Sequence, residues 1–135
     1  VYMDKNVLKP LEMYRTYYDN SPYHLLPDRA NSYFLQDGKF TTNGLDFDTG
    51  ITVANGGLNA PLGDMVNYIS FLTNPVRGYE ILKRSSLEEM WQVQVPIDEN
   101  GSLKTSMGLS YFILEQNGVR YMGHTGTQKG FHSFF

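Results

Sequence analysis

No cysteine occurs anywhere in the 135 residues. Disulfides, a thiolate nucleophile and thiolate metal sites are therefore excluded, although the absence selects no compartment. Long apolar runs are missing too, and nothing approaches the ~18 consecutive apolar residues of a membrane-spanning helix. The N-terminus has no signal-peptide pattern, which says little about export in a chain that reads as starting mid-domain. Positive charge is scarce. Eleven Lys and Arg stand against fourteen Asp and Glu, for a formal net charge of −3, and the longest basic run is Lys83-Arg84. That excludes the basic field nucleic acid binding needs. No His/Asp/Glu group shows H-E-x-x-H or EF-hand spacing, so neither a metal nor another cofactor is expected.

What is present begins with aromatics. Ten Tyr, eight Phe and one Trp make up 14% of a chain whose apolar fraction of 41% and charged fraction of 19% are otherwise ordinary. Tyr-rich chains can line polar clefts, a glycan-binding cleft among them, but packing in core and rim is the simpler account. The length suits one domain, 1–135, burying roughly two-thirds of its unfolded surface.

Residues 1–13 read as the last turns of a helix that Pro10 disturbs or ends. From Tyr14 to Asn59 short extended pieces such as Ser32–Leu35 alternate with turns at Asp37-Gly38 and Asn43-Gly44. Residues 61–73 are the clearest helix, with Leu62, Met65, Val66, Ile69 and Leu72 on one face and Pro61 at the first helical position. Asn59 and Ala60 both remain candidates for its cap, and Asp64 suits the positive end of its dipole. A shorter helix runs from about Leu87 to Gln92 behind Ser85 or Ser86. Its Glu88-Glu89 pair is better read as dipole partners than as an acid–base couple. Met107–Glu115, a Gln116-Asn117-Gly118 turn, Val119–His124 and Phe131–Phe135 then form an antiparallel meander. Helices followed by a meander give an α+β fold: an antiparallel meander sheet with packed helices.

Three histidines bear on chemistry. His24 sits in a Tyr/Pro loop without a spaced partner and reads as structural or solvated. His132 follows Phe131 on a strand and reads as facing solvent or a helix. His124 ends a strand and is followed by Thr125-Gly126-Thr127, where an imidazole can exchange protons with a nucleophile near pH 7. Asp46 and Asp48 belong to a turn-rich loop. Gly56-Gly57 before a helix lacks the strand and the Lys-Ser/Thr ending of a phosphate loop.

Four local strings fall in one order. Lys9-Pro10-Leu11-Glu12-Met13 with Thr16 resembles K-P-L-G-M-x-x-T, and Gly56-Gly57-Leu58 with Asp64-Met65 resembles G-G-L-x-S-T-x-x-D-L. Met107-Gly108-Leu109-Ser110-Tyr111 resembles a Y-G-L-G-W strand. Gly123-His124-Thr125-Gly126, with Gly130-Phe131 behind it, resembles the third catalytic motif, K-T-G or H-x-G. Together they make the chain similar to the C-terminal half of the serine β-lactamase-like and penicillin-binding-protein-like hydrolases. That group holds class C β-lactamases, D-alanyl-D-alanine carboxypeptidases and related esterases. The departures are informative. Glu12 replaces a Gly, so the turn there is expected to forgo a positive φ; Ala60 and Pro61 replace a Ser-Thr cap. His124 replaces Lys, which points away from a typical class C β-lactamase. S-x-x-K does not occur, and neither Tyr17-Tyr18-Asp19-Asn20 nor Tyr121 fits the family's Y-x-N motif; in the family both motifs lie upstream of the matched stretch.

The resemblance implies the C-terminal part of a β-lactamase/transpeptidase-like fold and a serine hydrolase working through an acyl-enzyme on an amide, ester or β-lactam. It makes His124 and Thr127 the catalytic candidates, Thr127 through its main-chain N–H in an oxyanion hole. Thr125 and Gly126 become the substrate-binding candidates, beside a strand that an extended, peptide-like acyl substrate can join. It also implies an extracytoplasmic setting, and a remainder of the domain or another copy covering the strand edges. The 135 residues by themselves are expected to be inactive. Two other readings stay open: a non-catalytic sensor or binding module of the same fold, and a Tyr-rich glycan-binding domain.

Overall fold

Pro10 has no N–H to donate, and the first helical segment ends just before it, with the Leu11 N–H still bonding the Val7 carbonyl at 3.1 Å. In the computed structural model, which describes residues 2–42, 48–74, 76–78, 80–128 and 130–135, Asp4–Leu8 is a π-helical turn. The Lys9 N–H bonds the Asp4 carbonyl at 3.0 Å and the Met13 N–H bonds the Leu8 carbonyl at 2.8 Å. The chain forms two units, Val1–Thr73 with Gly126–Ser133, and Asn74–Thr125 with Phe134–Phe135.

In the first unit Leu8, Leu11, Met13, Leu25, Phe71 and Leu72 are the buried apolar side chains. Glu12 corrects the expectation set by its side chain, for it stands at φ +59°. The turn keeps its left-handed residue without a Gly, held by the Glu12 N–H on the Lys9 carbonyl at 2.9 Å and by Asn67 Nδ2 on the Glu12 carbonyl at 3.3 Å. Strand β1 (Tyr17–Tyr18) follows, then a 3-10 turn, Tyr23–Asp28, that leaves His24 exposed. Strands β2 (Tyr33–Gln36) and β3 (Lys39–Thr42) form a hairpin, with Asp37 at φ +50° and Gly38 at φ +75°, the two left-handed residues a tight hairpin turn requires. The Asn43-Gly44 turn and Asp46 lie outside the described residues. Asp48 is a turn residue, its Oδ1 accepting the Gly50 N–H at 2.7 Å.

Helix α1 (Val53–Gly56) leads to β4 (Leu58–Asn59), which pairs antiparallel with β1. Helix α2 covers Leu62–Thr73. Its first bond runs from the Met65 N–H to the Pro61 carbonyl, 3.1 Å, which makes Pro61 the capping position in place of Asn59 or Ala60. Its apolar face is a second correction. Leu62, Val66 and Ile69 are 81, 53 and 41% exposed, while Asp64, Phe71 and Leu72 are buried. The helix is rolled by the partners of Asp64, which sit far away in sequence.

In the second unit helix α3 (Arg84–Met90) starts from an extended Lys83 with no side-chain cap, so Ser85 and Ser86 lie inside its first turn. The Lys83 carbonyl takes the Ser86 and Leu87 N–H groups at 3.0 and 3.2 Å. Glu88 pairs with Arg84 at 3.1 Å, and the Arg84 guanidinium lies 4.8 Å over the Trp91 ring, whose edge-to-face neighbour is Tyr111. Strands β5 (Val95–Asp98), β6 (Leu103–Met107), β7 (Phe112–Gln116) and β8 (Val119–Gly123) form a four-stranded antiparallel meander in chain order. Asn117 and Gly118, at φ +53° and +76°, make the β7–β8 turn. Gly108–Tyr111 is a connection, not the strand expected there. The Leu109 N–H leaves the sheet for the Met90 carbonyl at 2.9 Å, and Ser110 turns the chain at φ +62°. Leu87, Tyr111 and Ile113 are buried.

Strands β9 (Thr125–Gln128) and β10 (Phe131–Phe134) form a hairpin of their own. The C-terminal strand is therefore not the third strand of the meander. Its ladder partner is β9, because the chain reverses at Gly130, φ +84°.

Candidate active-site strand

The end of β8 is fixed by a close main-chain approach. A Cβ on Gly123 would lie 2.0 Å from the Phe135 carbonyl oxygen, so only Gly lets that backbone reach its neighbour. The His124 N–H then bonds the Phe135 carbonyl at 3.1 Å and the Phe135 N–H returns to the His124 carbonyl at 3.2 Å. The imidazole is exposed, with its ring centroid 5.3 Å from that of Phe112. Its Nδ1 lies 2.5 Å from the Thr125 carbonyl oxygen. A carbonyl can only accept, so Nδ1 carries the proton and Nε2 of the neutral ring carries the lone pair.

The boundary between the units falls after Thr125, so His124-Thr125 belong to one and Gly126-Thr127 to the other. Thr125 is exposed. Gly126 is half-buried, and a Cβ there would stand 2.5 Å from Ser133 Oγ. Thr127 is exposed, its Oγ1 3.3 Å from His132 Nδ1. His132 thus has a partner the sequence reading did not give it, although a reversal at Gly130 places 127 opposite 132. Antiparallel ladders alternate. The reciprocal bonds at His124–Phe135 make that a hydrogen-bonded pair, and alternation from it assigns Gly126–Ser133 to the bonded kind and Thr127–His132 to the intervening, non-bonded kind. The Thr127 N–H is therefore directed away from β10, toward the outer side of β9.

Two of the recognised strings meet within the first unit. Asp64 Oδ2 accepts the Thr16 hydroxyl at 2.7 Å and the Arg15 N–H at 2.9 Å, with Thr16 and Asp64 both buried. The Gly pair before α2 is a packing device. A Cβ on Gly57 would stand 2.2 Å from Asp19 Oδ1, and one on Gly56 3.0 Å from Gln128 Nε2. Asp19 in turn accepts the Thr49 hydroxyl at 2.7 and 2.8 Å. Among the described residues no group of three or more His, Asp or Glu could hold a metal ion, and no helix is long and apolar enough to cross a membrane.

The family model Beta-lactamase matches residues 1–135. The chain belongs to the Beta-lactamase family. It is similar to the octameric penicillin-binding protein homologue from Pyrococcus abyssi, at 22% identity and a TM-score of 0.80, over 98% of this chain and 29% of that one. It is similar also to the penicillin binding protein from Bacillus halodurans, at 21% identity and a TM-score of 0.71, over 99% of this chain and 39% of that one. These likenesses establish the fold, which this chain spans only in part. No curated protein matches. Family membership gives the left-handed residues a reason. Glu12 and Ser110, at φ +59° and +62°, occupy positions where the strings K-P-L-G-M and Y-G-L-G-W have Gly. Both residues hold a left-handed backbone that Gly would adopt without strain.

Proposed function

We propose that the complete protein is a serine hydrolase acting through an acyl-enzyme on an amide, ester or β-lactam carbonyl, and that this chain contributes one wall of its cleft. The attacking serine comes from outside these residues, since S-x-x-K does not occur among them. Its hydroxyl oxygen bonds the carbonyl carbon and gives up its proton, and the carbonyl oxygen becomes an oxyanion. The Thr127 N–H donates to that oxyanion. The C–N or C–O bond breaks as the amine or alcohol takes up a proton and leaves, or, in a β-lactam, stays tethered to the opened ring, and water then cleaves the acyl ester. The Thr125 hydroxyl donates to a carboxylate of the substrate, and Gly126 lets the substrate backbone lie close to the strand. His124 supports proton movement at the serine through Nε2, its ring oriented by the Nδ1–H bond to the Thr125 carbonyl.

What supports this reading is the hairpin register, which by ladder alternation from the His124–Phe135 bonds directs the Thr127 N–H away from β10, while the oxyanion role itself comes from the family motif. The rest of the domain covers the apolar side chains exposed on the sheet, such as Val95, Ile97 and Tyr121. Intact-mass measurement of the complete protein after exposure to a penicillin or a fluorophosphonate tests it. A covalent adduct of one equivalent is expected. No adduct with either reagent refutes the proposal and leaves a non-catalytic member of the family.

A further inference from the structure

We propose that His132 is a positioning residue for acyl transfer, holding Thr127 so that its main-chain N–H stays aimed at the oxyanion. The proposal rests on the functional reading above. His132 and Thr127 face each other across the β9–β10 hairpin, with Nδ1 3.3 Å from the Thr127 hydroxyl oxygen. Theirs is a non-bonded ladder position, where opposing side chains come closest and the main chains exchange no hydrogen bonds. The side-chain bond is thus the direct polar tie between β10 and the residue whose N–H points outward.

The need for such a tie follows from the neighbours of Thr127. Gly126 on one side restrains the backbone least of all residues, and a two-stranded ribbon is marginal by itself. Thr is β-branched and stiff at χ1, so fixing its hydroxyl also fixes the side chain relative to the peptide plane that carries the N–H. His132 works from a firm base. At the hairpin end a Cβ on Gly130 would stand 3.0 Å from Ser32 Cβ and 3.2 Å from the Phe34 ring, so the reversal sits directly against β2 and a buried Ser32. An oxyanion donor is effective when it is aligned before charge develops. Loss of the tie therefore lowers the rate of acylation and leaves ground-state binding nearly alone.

The test uses the complete protein and a chromogenic penicillin or cephalosporin, with acylation resolved into the dissociation constant of the non-covalent complex and the rate constant of the covalent step. His132→Leu and Thr127→Val each slow the covalent step about five- to tenfold, the worth of one net hydrogen bond, with the dissociation constant within about twofold of the parent. The double variant is no slower than either single one. His132→Asn, whose terminal polar atoms reach about where Nδ1 lies, restores most of the rate. Unchanged rates in His132→Leu, additive losses in the double variant, or no rescue by Asn overturn the proposal while leaving the hydrolase reading intact. A parent protein that is acylated by neither the β-lactam nor a fluorophosphonate overturns both. Should His132→Leu fail to fold, Thr127→Val and His132→Asn give the same decision, since the first must be slow and the second nearly normal.

Discussion

Replacing Asp64 separates a buried clamp from a helix-dipole partner. One carboxylate oxygen accepts both the Arg15 N–H at 2.9 Å and the Thr16 hydroxyl at 2.7 Å, and Asp64 and Thr16 are each 8% exposed. Asp64→Ala leaves two donors stranded where water has little access, at about 1–3 kcal/mol each, so we expect a loss of about 3–4 kcal/mol. Asp64→Asn can place its carbonyl oxygen where Oδ2 lies and keep both bonds. It forfeits the charge-assisted part, about 1 kcal/mol. Thr16→Val removes one donor and falls between them, at about 1–2 kcal/mol. A residue that only complemented the helix dipole would lose less than about 1 kcal/mol in either Asp64 variant. Urea unfolding followed by circular dichroism, with unchanged slopes, measures the series. Asn as damaging as Ala, or Ala costing less than about 1 kcal/mol, would refute the clamp.

Gly108→Ala should cost about 2–3 kcal/mol, because its Cβ would lie 2.4 Å from the Met90 carbonyl oxygen, a backbone atom that cannot turn aside. Faster amide exchange at Leu109, whose N–H bonds that same carbonyl, reports it, and a Gly108→Ala protein with unchanged exchange contradicts it. Ser110→Gly should stabilise by about 0.5–1 kcal/mol through relief of a φ of +62°, partly offset by the freer unfolded chain. Glu12→Gly, at φ +59°, should move the same way, and thermal melting of both variants checks the sign. Burial raises the Tyr18 phenol above its ordinary range. The unfolded chain therefore ionises first, so this contribution to stability is complete below about pH 10 and is lost as the pH climbs through the folded-state value. Tyr18→Phe should flatten that alkaline decline, and an identical decline would contradict it.

The local chemistry of the chain was readable and its long-range pairing was not. Asp37-Gly38 and Asn117-Gly118 announce their turns because few residues accept a left-handed backbone. The spacing from Leu62 to Leu72 announces a helix because apolar periodicity is local. The buried side of that helix was not legible, since it is set by bonds from Asp64 to residues 48 and 49 positions earlier. Nor was β5 or β6: Val95-Pro96-Ile97-Asp98 contains a Pro and Leu103–Met107 is largely polar, so each becomes a strand through its partners. The β7–β8 hairpin was legible and the ladder partner of Phe131–Phe135 was not, because a hydrophobic pattern does not choose between two antiparallel partners. At the candidate site the glycines were legible as small residues, but what each makes room for was not. Gly123 admits the Phe135 backbone and Gly126 faces the Ser133 hydroxyl. The resemblance supplied the family, whereas the Thr127–His132 couple required the register of the hairpin.

The most direct measurement is the rate of penicillin acylation of the complete protein carrying His124→Ala, followed by intact mass, with circular dichroism confirming an unchanged fold. If the imidazole at the tip of β8 moves protons for an attacking serine, acylation slows about a hundredfold or more. Acylation at the parent rate would contradict that role.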